Sequence, residues 1–332
     1  MKDARDDKRT ENTTIGIFAP RYRYSVMSKF PSTALLVTAL AAGACRGGGQ
    51  PASTSAAPGV TDTAWRADDE QYRRDLETKL TSDTGWLTIA GLAFLTKPET
   101  TVGSDSSNDV VLPGMTPPRL GTFVLSDGHV SVRLTPGLKV ALLDGRSFTG
   151  GAITSDGQGP PDRLVLGDVQ VWVHESGDRR ALRIRDKNSA LRKTFTGMKW
   201  YPVSDAYRVE ATFVPYEKPK QFEVPNLLGD IDRMTAPGQV TFSLNGQEHR
   251  MTPYNDGDDL MFVFRDATAG ETTYPAARFL YTPVPKDGKL VLDFNRAENP
   301  PCAFNPFATC PLPPKENQLA VRVEAGEQYQ KH

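Results

Sequence analysis

A group of polar side chains in the second half of the chain has the residue types needed for ligand binding or acid–base chemistry. The group is Asp266, Arg278, Asp293, Asn295 and Asn299. Asp293 and Asn295 are two residues apart, so we expect them on one face of a strand, opposite its apolar residues. If the strands that carry the group are neighbours, carboxylates, a guanidinium and amides would converge at one barrel mouth. Such a mouth would bind a polar ligand or exchange protons with a substrate.

The same residues also have a structural interpretation. Arg278 would pair with Asp266 or Asp293 and so satisfy a buried charge. The asparagine side chains would brace the backbone of loops. The sequence leaves both interpretations open, and the catalytic residues, if there are any, stay unknown.

A second polar run is strongly basic and consists of Arg179, Arg180, Arg183, Arg185, Arg192 and Lys193. A run of this kind would contact anionic lipid or an acidic glycan. The alternative is the solvated face of an edge strand, where charges prevent pairing with another sheet.

Familiar catalytic motifs are missing from the sequence. Asp83-Thr84-Gly85 has the letters of the aspartic-protease triplet, but that chemistry needs two carboxylates that share a proton, and no second copy occurs. A turn that ends a helix explains the triplet better. There is also no G-x-S-x-G, no S-x-x-K and no phosphate-binding glycine loop. The sequence therefore predicts no serine or nucleotide enzyme of a known type, and no cofactor.

Two of the three cysteines, Cys302 and Cys310, lie close together near the C-terminus. In an oxidising compartment such a pair favours a disulfide. Closing this loop would stabilise the fold by roughly 2–3 kcal/mol. The gain is smaller here, because the neighbouring prolines already restrict this segment in the unfolded state. Free thiols and a metal site are the alternatives. The scattered His129, His174 and His249 do not supply the paired spacing of a structural zinc site, so no metal is predicted.

The N-terminal region has the pattern of an export signal. Residues 1–26 are polar and mixed in charge, and we expect the true start at Met27. Lys29 then precedes a short run of small apolar residues at 34–44. This run is too short to span a bilayer, which takes about 20 residues. Residues 1–44 are therefore predicted to be a leader and signal peptide.

The residue after the signal, Cys45, is a candidate for lipidation. The segment Leu40 to Cys45 resembles a bacterial lipobox, although Ala42 stands where Leu is usual. Ala42-Gly43-Ala44 also fits an ordinary cleavage site, and the alternative is a secreted protein without lipid. Residues 45–60 are rich in Gly, Ser, Ala and Pro and are predicted to form a flexible tether.

The periodicity predicts one helix followed by strands. Trp65, Tyr72, Leu76 and Leu80 recur at helical spacing and predict a helix over residues 61–81. From Trp86 onward, apolar residues alternate with polar ones, as in strands with one buried face. Six Asn-Gly or Asp-Gly pairs at 127, 144, 156, 245, 256 and 287 indicate tight turns.

These signals predict a mostly β protein, an antiparallel sandwich or barrel-like structure with one N-terminal helix. We expect a sandwich-like domain at 86–185 and a second β domain at 186–327 that ends in the Pro/Cys-rich tail.

Composition excludes one class of partner. The chain has 332 residues and a net charge of −1. The first 44 residues carry seven Lys/Arg and four Asp/Glu, or +3, which leaves −4 for the remainder. A mildly acidic body argues against a nucleic-acid partner.

Several segments between residues 86 and 327 together resemble a known family. They are Gly85–Thr88 with Gly91-Leu92, Gly103–Asp105 with Asn108–Pro113, Leu182–Asp186, Phe195 to Val203, Leu292–Asn295, Asn299–Phe304 and Cys310–Pro314. On these segments the chain resembles the bacterial domain-of-unknown-function family 1684. The resemblance implies no activity, because the family has no established one.

Residues 102–185 also resemble a forkhead-associated domain, a β-sandwich that binds phosphothreonine. Gly103 through Leu112 is similar to its opening strand pair, and Asp162 through Asp168 to its closing one. Ser104 stands where that domain has Arg, and Pro118–Gly121 replaces its Ser-Arg-x-His element. The resemblance implies a sandwich fold and argues against phosphopeptide binding.

The sequence thus predicts an exported protein of the bacterial cell envelope that is anchored by a lipid, at the outer membrane or in the periplasm. The alternative is a secreted protein. We expect the protein to bind or scaffold a polar small molecule or an envelope polymer. The alternative is a hydrolase of an envelope substrate that uses Asp266 or Asp293 as acid or base. The sequence does not decide whether the protein is an enzyme.

Overall fold

The computed structural model describes residues 62–285 and 287–330. The predicted leader, signal peptide, lipidation site Cys45 and tether lie outside these residues.

The first element is helix α1, Asp62–Thr81, whose start differs by one residue from the predicted 61–81. Leu80 at its end and Asp69 in its first half are both buried. Gly85 closes the turn that follows, where a Cβ atom would lie 2.0 Å from the carbonyl oxygen of Leu80. Only glycine fits there, so Asp83-Thr84-Gly85 is a turn that ends a helix.

Eleven short strands follow between residues 89 and 186, after a 3₁₀ turn at Trp86–Thr88. They are β1 Ile89–Phe94, β2 Glu99–Gly103, β3 Val110–Val111, β4 Gly121–Ser126, β5 His129–Leu134, β6 Val140–Leu142, β7 Ser147–Phe148, β8 Gly151–Ala152, β9 Leu164–Leu166, β10 Val169–Ser176 and β11 Arg179–Asp186.

These strands form two sheets that share one core. One sheet has the order β1-β11-β10-β9-β6-β7 and the other β3-β2-β4-β5-β8. Phe123 and Val132 from the second sheet pack with Val171 and Leu182 from the first. All pairs are antiparallel except β2 with β3, which is parallel. We call residues 89–186 the first β region.

The remaining elements follow from residue 190 onward. They are helix α2 Ala190–Thr194, β12 Lys199–Trp200, β13 Arg208–Pro225, β14 Ile231–Leu244, β15 Gln247–Met251, β16 Tyr254–Asp256, β17 Asp259–Phe264, β18 Arg278–Pro283, β19 Lys289–Asp293 and β20 Glu327–Gln328. Short 3₁₀ turns lie at Asp205–Tyr207, Phe294–Arg296, Pro301–Ala303 and Lys315–Asn317.

This second β region contains three sheets, in the orders β15-β14-β13-β19, β16-β17-β18 and β12-β20. Its main core forms around Phe242, Phe262, Phe264 and Phe294. The change from one set of sheets to the other falls between Asp186 and Lys199, near the predicted boundary. Whether the two regions are independent domains stays a prediction.

The prediction of a mostly β fold with several antiparallel sheets and one N-terminal helix is confirmed. In the described residues no sheet closes into a barrel, so the barrel mouth expected to gather the polar residues is absent. None of the helices in this part of the chain has the length and apolar character of a membrane span.

Candidate functional site

Arg278 and Asp266 form an ion pair inside the second β region. Arg278 begins β18 opposite Phe264, the last residue of β17, and Asp266 lies two residues beyond that strand. Their side chains are 1% and 0% exposed, and Nη2 of Arg278 donates to the Asp266 carboxylate. Nη1 of Arg278 also donates to the carbonyl of Ala325 at 2.6 Å. Burial lowers the pKa of Arg278, and Asp266 opposes that shift.

The other carboxylate oxygen of Asp266 accepts hydrogen bonds from two backbone amides. Oδ1 accepts from the amide of Thr268 at 2.8 Å and from the amide of Val323 at 3.1 Å. The pair therefore joins the loop after β17 to the C-terminal segment, and it leaves no access for a ligand.

Asp293 and Asn295 do not share a strand face as predicted. Strand β19 ends at Asp293, and Asn295 lies in the 3₁₀ turn that follows. The amide of Asn295 exchanges two 2.9 Å hydrogen bonds with the backbone of Ser204. Asp293 accepts from the indole of Trp65 on α1 at 2.9 Å and lines an open cavity of about 370 Å³.

Asn299 lies beside a buried carboxylate instead. Its backbone amide donates to Glu327 at 2.7 Å, and its side chain donates to the carbonyl of Gln328 at 3.1 Å. Burial raises the pKa of Glu327 well above its usual value. The structure thus brings Asp266, Arg278 and Asn299 to the C-terminal segment but places Asp293 and Asn295 elsewhere, and the five form no single site.

The basic run contains a more unusual arrangement. The prediction that it forms the solvated face of an edge strand is wrong for Arg183 and Arg185, because β11 lies between β1 and β10. These two arginines are 6% and 7% exposed. They alternate with Leu182 and Ile184, whose side chains fill the core of the first β region. The arginine face of β11 is therefore also covered.

Aromatic rings surround these guanidiniums. Trp172 on β10 is directly opposite Arg183 on β11. The guanidinium carbons of Arg185 and Arg163 lie 5.3 and 4.7 Å from the centre of the Trp172 ring. The guanidinium carbon of Arg183 lies 5.4 Å from the centre of the Trp86 ring. We call this group, with His174 and Asp156, the arginine cluster.

The hydrogen bonds of the two buried arginines are incomplete. Arg185 donates from Nε to Oγ1 of Thr88 at 3.0 Å and from Nη2 to the carbonyl of Thr84 at 2.8 Å, but its Nη1 has no partner. Nη2 of Arg183 is 3.5 Å from Oγ1 of Thr309, and its Nε has no partner.

Asp156 is the carboxylate that contacts the cluster directly. It is 2.8 Å from Nδ1 of His174, accepts from the indole of Trp172 at 3.2 Å, and lies 3.9 Å from Nη1 of Arg183. Burial raises the pKa of Asp156, but the hydrogen bond to His174 and the neighbouring charges outweigh it, so the carboxylate stays ionised. Burial lowers the pKa of His174, which favours a neutral imidazole.

The cluster therefore has an excess of positive charge. Burial lowers the pKa of both Arg183 and Arg185 to about 10, so each guanidinium is still charged at neutral pH. For Arg185, the like charges of Arg163 and Arg183 contribute to this lowering beside burial. Charge buried without a counter-ion is costly in a fold. An anion placed here would meet unused N–H donors and a positive field.

Two residues of the second β region, Asn305 and Thr309, contact the cluster or the backbone beside it. Oγ1 of Thr309 is 3.3 Å from Nε2 of His174. Asn305 donates from Nδ2 to the carbonyls of Trp86 and Ile89 at 2.9 and 2.7 Å. Trp86 and Arg163 are only partly buried, so the cluster borders solvent on their side.

Sequence reasoning found Arg183 and Arg185 but gave them a surface role, and it missed Asp156, Arg163 and Trp172. A usable signal was present. Leu182 and Ile184 require one buried face on β11, and Trp172 on the neighbouring strand indicates that the opposite face is covered as well.

Within residues 62–285 and 287–330, no three His, Cys, Asp or Glu side chains are placed to hold a metal ion together.

Comparison with known proteins gives a family and a structural relative. A family model described as a protein of unknown function, DUF1684, matches residues 193–328. The chain is also similar to an uncharacterized protein from Haloarcula marismortui, whose structure was solved by solution NMR. The two sequences are 31% identical, and the match covers 41% of this chain and 78% of the Haloarcula chain, with a TM-score of 0.36. No curated protein matches the sequence.

Proposed function

The chain belongs to the DUF1684 family of proteins of unknown function, and we propose that it is a binding protein for an anionic ligand. The observation that carries this proposal is the excess of buried positive charge in the arginine cluster. Three guanidiniums, from Arg163, Arg183 and Arg185, lie close together, and the carboxylate of Asp156 acts on the first two. Strongly perturbed titratable groups with a named cause are more frequent at functional sites than elsewhere.

The chemistry of the cluster favours a carboxylate or phosphate group as the ligand. A guanidinium presents several N–H donors in one plane and binds these anions through paired hydrogen bonds. Nε of Arg183 and Nη1 of Arg185 are donors without partners. A bound anion would satisfy them and offset the repulsion between the two charges.

The hydrolase alternative has less support. It requires an accessible carboxylate, and the Asp266 side chain is 0% exposed and fully engaged with Arg278 and the backbone. Asp293 borders an open cavity but accepts hydrogen bonds from Trp65 and Asn295. The binding function therefore stands first.

We also propose that the protein is exported and lipid-anchored through Cys45 in the cell envelope, and that Cys302 and Cys310 form a disulfide there. The export signal and the lipobox resemblance support the first part. The second part is supported by the contact between the two residues, because the amide of Cys302 donates to Sγ of Cys310 at 3.3 Å. Both cysteines are free thiols in the structure.

Anion binding is tested by thermal unfolding and isothermal titration calorimetry with inorganic phosphate and citrate at constant ionic strength. A ligand that binds only the folded state raises its stability by RT ln(1 + [L]/Kd). We expect both anions to raise the melting temperature of the wild type more than chloride does. Arg185→Gln should weaken anion binding by at least about tenfold, since a charged hydrogen bond contributes about 1.5–3 kcal/mol.

Arg133→Gln is the matched control, because Arg133 is exposed on β5 and its loss changes the net charge equally. It should bind anions as the wild type does. Equal anion binding by wild type and Arg185→Gln would show that the arginine cluster is not the site.

A further inference from the structure

The segment from Cys302 to Cys310 forms the part of the anion site that the second β region contributes. Thr309 contacts both Arg183 and His174, at 3.5 and 3.3 Å. The next residue, Cys310, is buried, and its thiol lies close enough to Arg183 for the guanidinium charge to act on the thiol pKa. Cys310 is covalently bonded to Thr309, so a shift of Cys310 would move the backbone next to the hydroxyl that contacts Arg183 and His174.

The two cysteines differ in accessibility. Cys310 is 4% exposed, whereas Cys302 is only partly buried and can meet a reagent from solution. The hydroxyl of Tyr274 donates to the carbonyl of Cys302 at 3.1 Å and fixes the backbone there. Burial raises the pKa of the Cys310 thiol well above its usual value. This arrangement favours Cys302 as the first residue to react and Cys310 as the second.

We propose that the Cys302/Cys310 pair regulates the anion site, and that its disulfide form binds anions more tightly than its dithiol form. This inference rests on the proposed function. A bond between the two sulfur atoms would fix Thr309 and Cys310 relative to Cys302. The wall of the site would then be ordered before the ligand arrives, and less conformational entropy would be lost on binding.

The reaction is a thiol–disulfide exchange with a small-molecule disulfide as the oxidant. The Cys302 thiolate attacks one sulfur of that disulfide and forms a mixed disulfide, and the departing thiolate takes up the proton that Cys302 lost. Cys310 then gives up its proton and attacks the Cys302 sulfur, which releases a second small thiol. The two protein thiols are oxidised by two electrons, and one external disulfide is reduced to two thiols.

The test uses the full chain with Cys45→Ala, so that Cys302 and Cys310 are the only thiols. The protein is oxidised with oxidised glutathione or reduced with dithiothreitol, and phosphate binding is measured by calorimetry in each state. We expect the oxidised form to bind phosphate at least about fivefold more tightly, a typical size for coupled sites. Coupling is reciprocal, so saturating phosphate should make the disulfide harder to reduce by the same factor.

Cys302→Ser in the same background is the control, because it cannot form the disulfide and should bind phosphate equally after either treatment. The proposal is overturned if the wild-type pair does not form a disulfide, if both forms bind phosphate equally, or if Cys302→Ser shows the same response. Absence of phosphate binding in both states would refute the proposed function itself, and the regulation with it.

Discussion

At the scale of single residues, buried arginines in this protein have two different fates. Arg278 is paired with Asp266 and caps two carbonyls, so its charge is compensated. Arg185 is also buried, but it has no carboxylate partner within the described residues. A buried arginine paired with a carboxylate is typical of a structural ion pair. A buried arginine without a carboxylate partner is what the proposed binding site would need. Residue type cannot separate them, which is why the sequence supported both interpretations.

The structural role of Arg278 gives a stability prediction. Arg278→Ala leaves the Asp266 carboxylate buried without its counter-ion, and we expect the free energy of unfolding to fall by about 3–5 kcal/mol. Urea denaturation measures this. Arg322→Ala is the control, because Arg322 is an exposed residue paired with Glu271 and Glu324 and should change stability by no more than about 0.5 kcal/mol. An unchanged unfolding midpoint for Arg278→Ala would contradict the ion-pair account.

Asp232 gives a prediction for pH dependence. Burial raises its pKa to about 6, the hydrogen bond from Asn226 opposes this, and the charge of Asp230 adds to it. Since the pKa in the folded state lies above that in the unfolded state, the folded protein holds the proton more tightly. The stabilisation is complete below about pH 4. It is lost as the pH rises through about 6.

We therefore expect Asp232→Asn, which mimics the protonated state, to be more stable than wild type at pH 7.5. The gain should be about 1 kcal/mol, after allowance for solvent screening of a group that is not fully buried. The difference should shrink toward pH 4. Thermal melts at both values measure it, with the exposed helix residue Asp75→Asn as control. A gain of equal size at pH 4 and pH 7.5 would contradict this titration.

At the scale of elements, the sequence predicted which residues form strands better than which strands are neighbours. In β11, Leu182 and Ile184 face the core and alternate in sequence with Arg183 and Arg185. This alternation carried no information on the order β1-β11-β10, because β1 is about ninety residues away in the chain. The edge-strand interpretation failed for this reason, and the arginine cluster was missed with it.

Turn chemistry was predicted correctly for some of the Asn-Gly and Asp-Gly pairs. Asp127-Gly128 and Asn245-Gly246 have positive φ at both residues and join β4 to β5 and β14 to β15. Asp156-Gly157 has the same residue types, but it does not connect two strands of a hairpin. Its aspartate is held by His174 and Trp172 in the arginine cluster. The local sequence predicted a turn residue, but the position of Asp156 is determined by its contacts with His174 and Trp172.

Prolines lie inside a strand at residues 215–225. Strand β13 runs through this segment, and the register of its pairing with β14 shifts between Pro215 and Lys220. The other neighbour, β19, pairs only with residues 208–212. The prolines thus lie where β13 is an edge strand, and there they need no amide donor.

At the scale of the whole molecule, helix α1 connects the predicted tether to the second β region. Tyr72 donates to the carboxylate of Glu298, and Asp69 is paired with Arg296 at 3.3 Å. Arg73 donates to the carbonyl of Tyr201 at 2.9 Å. The helix is therefore packed against the region that also contributes Thr309 to the proposed anion site. A lipid at Cys45 would attach the membrane to this region through residues 45–60.

This connection makes the predicted anchor and disulfide measurable together. Protein purified from the membrane fraction of a bacterial host should have a denatured mass that fits a chain starting at an acylated Cys45 and short of two hydrogens. Cys45→Ser should leave the membrane fraction while its fold stays unchanged, because none of the described contacts involves Cys45. A membrane-bound chain with an unmodified Cys45 would contradict lipidation, and a full complement of hydrogens would contradict the disulfide. The native mass adds a third reading, since an excess over the denatured mass that disappears in Arg185→Gln would be a ligand retained at the arginine cluster.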